Sequence, residues 1–272
     1  YLDDIVHGEE VFWNEDGLKV NFNIYDYGSF KFMSGFYPSG QMKYETNYKK
    51  GTDKEWYENG QLKEEGQRFL NEEGRYLKNG KWTLWKSNGQ KITEEYYKDG
   101  KKLRETSFHY YPSGQLEKEM NYREDGYKKD GKQTYWYEDG QIHMEFNYKN
   151  GIQKDGATWN EIGQKTHSSY YLNNRLHKQI RFKYYDNGQV KEEAHLDMTS
   201  VNPVYIYLIR WHENGQKSQE VNYKDGKEDG KWLQWYENGR QQLERNYKKG
   251  ELKGKETWWN EKGQITTERN YK

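Results

Sequence analysis

The sequence predicts an all-β protein: an elongated, single-layer antiparallel meander of tandem β-hairpin repeats, solenoid-like in build. Three observations predict it. A turn glycine recurs about every 24 residues, an aromatic residue stands four positions before each of these glycines, and Glu and Tyr follow them at fixed offsets. A period in this range marks repeat architectures, in which each unit buries its surface only against its neighbours.

The glycines are Gly17, Gly40, Gly60, Gly89, Gly114, Gly140, Gly163, Gly188, Gly215, Gly239 and Gly263. At position −4 stand Trp13, Phe36, Trp56, Trp85, Tyr110, Trp136, Trp159, Tyr184, Trp211, Trp235 and Trp259. At +5 comes Glu45, Glu65, Glu94, Glu119, Glu145, Glu193, Glu220, Glu244 or Glu268. At +8 comes Tyr25, Tyr48, Tyr97, Tyr122, Tyr148, Tyr171, Tyr223, Tyr247 or Tyr271. Chance does not align three positions in this way.

Within a unit, two runs rich in Trp, Tyr and Leu flank a turn such as Asn238-Gly239. Asn-Gly between such runs signals a two-residue type I′ hairpin, because both residues tolerate positive φ. A second polar turn, such as Lys248-Lys249-Gly250, joins one hairpin to the next, and three prolines leave the strands largely unbroken. With a strict two-residue loop, the aromatic at −4 and the Glu at +5 share one face. Tyr at +8 and the aliphatic at +2 (Met42, Leu62, Leu116, Ile142, Val190, Ile265) then share the other. A one-residue bulge beside glycine changes that parity.

Composition agrees with a thin fold. Only 32% of residues are hydrophobic, yet 27 Tyr, 11 Trp and 9 Phe are far too many rings for a disordered chain. Lys+Arg and Asp+Glu balance at 44 each and are interspersed, which argues against a nucleic-acid partner and disfavours contact with an anionic membrane. The absence of Cys removes disulfides, thiol nucleophiles and Cys-based zinc sites. The chain begins at Tyr1 rather than Met, which reads as a missing upstream segment, cut away or cleaved as a signal peptide.

The segments WYENGQLKEEG (56–66) and GKWLQWYENGR (230–240), with the recurring NYKxG, resemble the bacterial variant of the MORN repeat, in the form found in YwqK-type antitoxins of toxin–antitoxin systems. The resemblance covers nearly the whole chain, more loosely over residues 1–35. It implies a sheet of β-hairpins with a scaffold or partner-binding role, and the antitoxin form implies a protein partner neutralised by binding.

Chemistry is hard to place in such a chain. The seven histidines share no repeat position and form no H-E-x-x-H pair, and neither a nucleophile elbow nor a phosphate loop is present. Asp225 to Gly230 superficially resembles a calcium loop, but Lys227 stands where an oxygen ligand is needed. A catalytic carboxylate pair needs one special site, whereas the Glu row recurs. Cross-strand pairing with the cation after each Tyr (Lys49, Lys98, Arg123, Lys149, Lys224, Lys248) accounts for it. The expectation is therefore a non-enzymatic scaffold with no cofactor, no metal and a protein partner. The alternative is a surface module that binds carbohydrate or a host ligand through its rings. A secreted or cell-surface location fits best, and a cytoplasmic one if the protein is antitoxin-like.

Two candidate binding features follow. One is the aromatic row Trp56, Trp85, Tyr110, Trp136, Trp159, Tyr184, Trp211, Trp235 and Trp259, read either as packing or as an exposed surface. The other lies where the period stretches. Insertions fall near 66–80 and 195–210, and the second holds Val204, Tyr205, Tyr207 and Ile209 in the most apolar run of the chain. That run is either a contact site or a better-buried strand. Residues 1–35 form a divergent N-terminal repeat or cap, and 36–272 one continuous array. The sequence stops at Lys272 inside a good repeat, which reads either as a cut chain or as a last strand, ending at Tyr271, that offers an edge for self-association.

Overall fold

The computed structural model describes residues 5–124 and 126–272, so Tyr1 lies outside the described residues. These contain 23 β-strands and no helix. The expected all-β fold of antiparallel hairpin repeats is what the chain forms.

Two compact units divide the chain, residues 1–131 and 132–272. In the first, each strand from Gly8–Trp13 to Leu116–Arg123 pairs antiparallel with the next in sequence. The segment expected to diverge contributes ordinary hairpin strands, Gly8–Trp13 and Lys19–Asp26. In the second unit the same serial pairing runs from Ile142–Lys149 to Ile265–Tyr271. The insertion around 66–80 lengthens one hairpin, Leu62–Leu70 with Tyr76–Trp85, closed by a turn at Gly74.

The anchor turns are not the two-residue type I′ loops expected at Asn-Gly. In the turn Tyr57 to Gln61, the Gly60 N–H donates to the Tyr57 carbonyl and the Tyr57 N–H to the Gln61 carbonyl. Gly60 has a φ of 81°, while Asn59 keeps an ordinary negative φ. This is a three-residue loop, a type I turn followed by a left-handed glycine. The Asn side chain selects it, since the Asn59 carbonyl oxygen accepts the Gln61 N–H two residues on. Type I′ turns occupy several of the junctions between repeats instead. Asp99-Gly100, Asp225-Gly226 and Lys249-Gly250 have paired positive φ values of 52° and 79°, 52° and 75°, and 54° and 85°.

A bulge follows every anchor turn whose register is described. Trp56 lies opposite Leu62 but Glu55 opposite Glu64, so Lys63 is the extra residue. The bulge corrects the facial assignment. The aromatic at −4, the residue at +2 and the Glu at +5 all share one face; Met42, Leu62, Leu116, Val190 and Ile265 stand opposite Phe36, Trp56, Tyr110, Tyr184 and Trp259. Tyr at +8 lies on the other face with positions −7, −5, +4 and +6.

That second face is the more buried one. It holds Trp82, Leu208, Val221 and Leu243, with Ala194, Leu208 and Val221 forming a small cluster against Tyr223 and Trp232. So few aliphatics cannot fill it, and charged side chains pack on rings in their place. Trp82 lies directly over Gly66, donates its indole N–H to the Gln67 carbonyl, and carries Lys78 Nζ at 3.9 Å from the ring centroid. Arg68 lies 5.6 Å from the same ring and pairs with Asp53. In the second unit Arg245 sits between Trp232 and Trp258, 5.6 and 5.3 Å from their rings, and bonds the buried Glu256 at 2.5 Å. Burial alone raises the Glu256 carboxyl, but the guanidinium and the Tyr271 hydroxyl hold it below the usual carboxylate range.

Candidate interaction surfaces

The aromatic row stands on the first face, close to the anchor turns. Trp56, Trp85, Tyr110, Trp136, Trp159, Tyr184, Trp211, Trp235 and Trp259 are all partly buried, and only Trp13, at the start of the row, is well exposed, at 62%. Within each unit, then, these rings are part of the packing rather than fully exposed.

Sequence reasoning missed what holds this row together. The residue just after the ring, at −3, is often Tyr, and its hydroxyl donates to the carbonyl of the next repeat's −4 residue. Tyr37 reaches Trp56, Tyr57 reaches Trp85, Tyr137 reaches Trp159, Tyr185 reaches Trp211 and Tyr236 reaches Trp259, at 2.7 to 2.9 Å. His212 Nε2 makes the same bond to the Trp235 carbonyl at 2.9 Å. The turn Asn adds a second hook: Asn59, Asn187, Asn214 and Asn238 donate to the carbonyls of Ser87, Glu213, Glu237 and Glu261. The signal was visible as Trp-Tyr and Asn-Gly at fixed places, but its direction, from one turn to the next, is a tertiary fact.

The Glu row has different partners from those expected. Glu94 meets Lys81 at 2.8 Å and Lys91 at 2.5 Å, Glu145 meets Lys132, Glu220 meets Lys217, Glu244 meets Lys231 and Glu268 meets Lys255. Most of these lysines stand eight residues before the turn glycine, on the same face; the lysine after Tyr points away, as Lys248 does in pairing with Asp229. Burial would raise the Glu94 carboxyl, yet Lys81 and Lys91 together hold it low. An open groove of about 460 Å³ runs beside this part of the row, lined by Trp85, Glu65, Glu94, Gln67, Lys81 and Lys91 among others.

The apolar run of the second insertion is the strand Val204–Trp211. Leu208 enters the core cluster, whereas Tyr205 and Ile206 are 42% and 39% exposed. Val204 packs on the Gly226 turn, Tyr205 lies 5.5 Å from Tyr223, Tyr207 bonds Glu220, and Ile209 is partly buried opposite Glu193. Burial and the Glu220 contact push the Tyr207 hydroxyl strongly upward. The extra residues form the connection before this strand, with Val201 fully exposed.

The histidines stay scattered. His143 stacks on Tyr137 at 4.3 Å, His195 bonds Glu193, and burial pushes His109 and His167 downward. Among the described residues no group of three or more His, Asp or Glu is placed to hold a metal ion. Asp225 forms part of a turn, and Asp229 pairs with Lys248.

Known proteins resemble the chain at two levels. The family model described as MORN repeat variant matches residues 33–50, 51–71, 106–124, 129–150, 180–197, 208–225, 228–249 and 252–272, more than half of the chain. No curated protein sequence matches it. Among solved structures, the TcdB2–TccC3–Cdc42 complex aligns with 91% of this chain at 12% identity and a TM-score of 0.30. The Photorhabdus luminescens Tc holotoxin pore aligns with 93% at 12% identity and a TM-score of 0.30. Accessory secretory proteins 1, 2 and 3 of Streptococcus pneumoniae align with 45% at 18% identity, covering 20% of that chain, with a TM-score of 0.19. The chain spans only 16 to 17% of the two toxin chains, and likeness at these scores carries no functional argument.

Proposed function

We propose that this chain, which belongs to the MORN repeat variant family, is a non-enzymatic scaffold that binds a protein partner across the face bearing the ring and Glu rows. MORN repeats are a scaffold type commonly involved in protein or membrane interaction. The observation that carries the reading is equivalence. Unit after unit places a partly buried ring at the same position, and five units pair the Glu on that face with a lysine; a repeated environment provides an extended contact surface rather than one reacting centre. In the antitoxin-like form of this function the partner is a toxin neutralised by being covered.

Photo-crosslinking residues placed at Val11, two residues before Trp13 on the same strand, and at Ile265 opposite Trp259, both exposed on this face, test it. One protein species captured at both, and absent from a probe at Val201 in the insertion, is the expected result. Capture at Val201 alone moves the contact to the insertion, and capture at none of the three removes the scaffold reading. The groove beside Trp85 favours a second function, binding of a saccharide stacked on the indole and held by Glu65, Gln67 and Lys81. A glycan array with wild type and Trp85→Ala separates the two, since no glycan should bind a purely protein-directed surface.

A further inference from the structure

At three anchor turns the −3 tyrosine ring is covered by a lysine of its own repeat, three residues after the turn glycine. Lys43 Nζ lies 5.6 Å from the Tyr37 centroid, Lys63 Nζ 6.0 Å from Tyr57, and Lys191 Nζ 5.2 Å from Tyr185. At Tyr137 that place belongs to His143, which stacks on the ring. At Tyr236 it belongs to Gln242. A neutral amide brings no charge to the ring, and the surface there opens into a groove of about 350 Å³. His212, Trp235, Tyr236, Glu237, Gln242 and Glu261 line it.

The groove is electrostatically prepared for what its sister turns contain. A cation over an aromatic face is attracted by the ring quadrupole, and the attraction grows as water is excluded. Glu237 and Glu261 add two exposed carboxylates with no ion-pair partner among the described residues. Of the cations nearby, Lys217 and Arg240 have partners of their own. Lys217 lies 5.7 Å from the Trp235 centroid with its ammonium bonded to Glu220 at 2.9 Å, and Arg240 donates to the Glu261 carbonyl at 2.9 Å. Lys262 follows Glu261 in the last turn.

We propose that this groove is a seat for an alkylammonium group, the lysine side chain of a polypeptide partner. The ammonium lies over the Tyr236 ring between the Glu237 and Glu261 carboxylates, in the place that Lys43, Lys63 and Lys191 fill in their own turns. Lysine is favoured over arginine because the sister turns accept an ammonium on an unbranched stem at this ring. The partner's being a protein rests on the scaffold reading above; the seat itself is testable without any partner.

The test uses n-butylammonium as the probe and follows the backbone amide resonances of the folded 272-residue chain. Wild type should show saturable shifts confined to residues 236–242 and the turn at 260–264, which sodium chloride at equal ionic strength does not reproduce. Gln242→Lys, which copies three natural turns and so keeps the fold, should weaken the probe by about tenfold or more as the internal ammonium takes the seat. Lys191→Gln should open a second seat at Tyr185, where Asp186 and Glu213 stand in place of Glu237 and Glu261, and add saturable shifts at 185–191. Absence of saturable shifts in wild type, equal shifts at every turn, or indifference to Gln242→Lys each overturns the seat. A seat that binds butylammonium in a protein that crosslinks to nothing leaves this inference standing and removes the scaffold reading alone.

Discussion

Removing the Arg245 guanidinium is the sharpest perturbation of the charged core. In Arg245→Ala the Glu256 carboxylate, 1% exposed, loses its 2.5 Å partner and keeps the Tyr271 hydroxyl at 3.2 Å, a hydrogen bond from the Trp258 side chain and Arg269 at 3.9 Å. Breaking a buried pair from one side costs about 3–5 kcal/mol. The low end applies, because Arg245 is itself 27% exposed and Arg269 can move closer. Loss of the guanidinium between Trp232 and Trp258 adds about 1 kcal/mol, so the expected cost is about 4 kcal/mol. The double variant Arg245→Met with Glu256→Leu removes both charges and should lie within about 1 kcal/mol of wild type. The pH dependence follows from the depressed Glu256 pKa. Its stabilisation is present above the ordinary carboxylate range and is lost as pH falls through the lower folded value. In the variant the stranded carboxylate escapes by protonation. The gap between wild type and Arg245→Ala should therefore narrow from neutral pH to about pH 4. Urea denaturation, with hydrogen exchange over residues 254–271 to catch local opening, reads the effect. A single-variant cost under about 1 kcal/mol, or a gap unchanged with pH, refutes the reasoning.

Other outcomes are expected from the same structure. Gly66→Ala places a methyl 2.1 Å from the Trp82 indole at a position of ordinary φ; thermal unfolding should show a loss of about 3 kcal/mol from overpacking alone. Tyr236→Phe removes one hydroxyl hook to the Trp259 carbonyl and should cost about 1 kcal/mol, with faster exchange confined to the last two hairpins. Glu94→Gln leaves two lysines without their carboxylate and should cost no more than about 1 kcal/mol, measured by urea denaturation. Burial, then the Glu95 carboxylate, pushes Tyr97 up to about 12. The stability this tyrosine contributes is full below its ordinary value and is lost as pH rises toward 12, so tyrosinate absorbance and unfolding should rise together there.

The repeat, its hairpins and the position of each ring were legible because turn glycines and bulky rings each have one structural use at a fixed offset. The loop type was not, since Asn-Gly suits both a type I′ turn and a type I turn with a left-handed glycine. Nor was the bulge legible: position +3 carries Lys63, His143, Gln242 and Thr266 in different repeats, and no side chain there marks an extra residue. Without it the +2 residue falls on the wrong face. The lysines of the Glu row were misassigned for the same reason, because Lys81 and Glu94 become neighbours only once the register is known. The charged core was invisible in sequence, since Arg245 and Glu256 belong to strands paired across a junction. The tyrosine at −3 looked like the continuation of the ring run, although its hydroxyl is what ties one turn to the next.

Carboxyl footprinting of the chain with and without its captured partner tests the central claim most directly, because the Glu row marks the proposed contact face. Glu94, Glu145, Glu220 and Glu244 should lose labelling together on binding, while Glu73, exposed at the tip of the lengthened hairpin, stays reactive. Protection of one glutamate alone, or of none, contradicts an extended repeat surface as the functional part of the molecule.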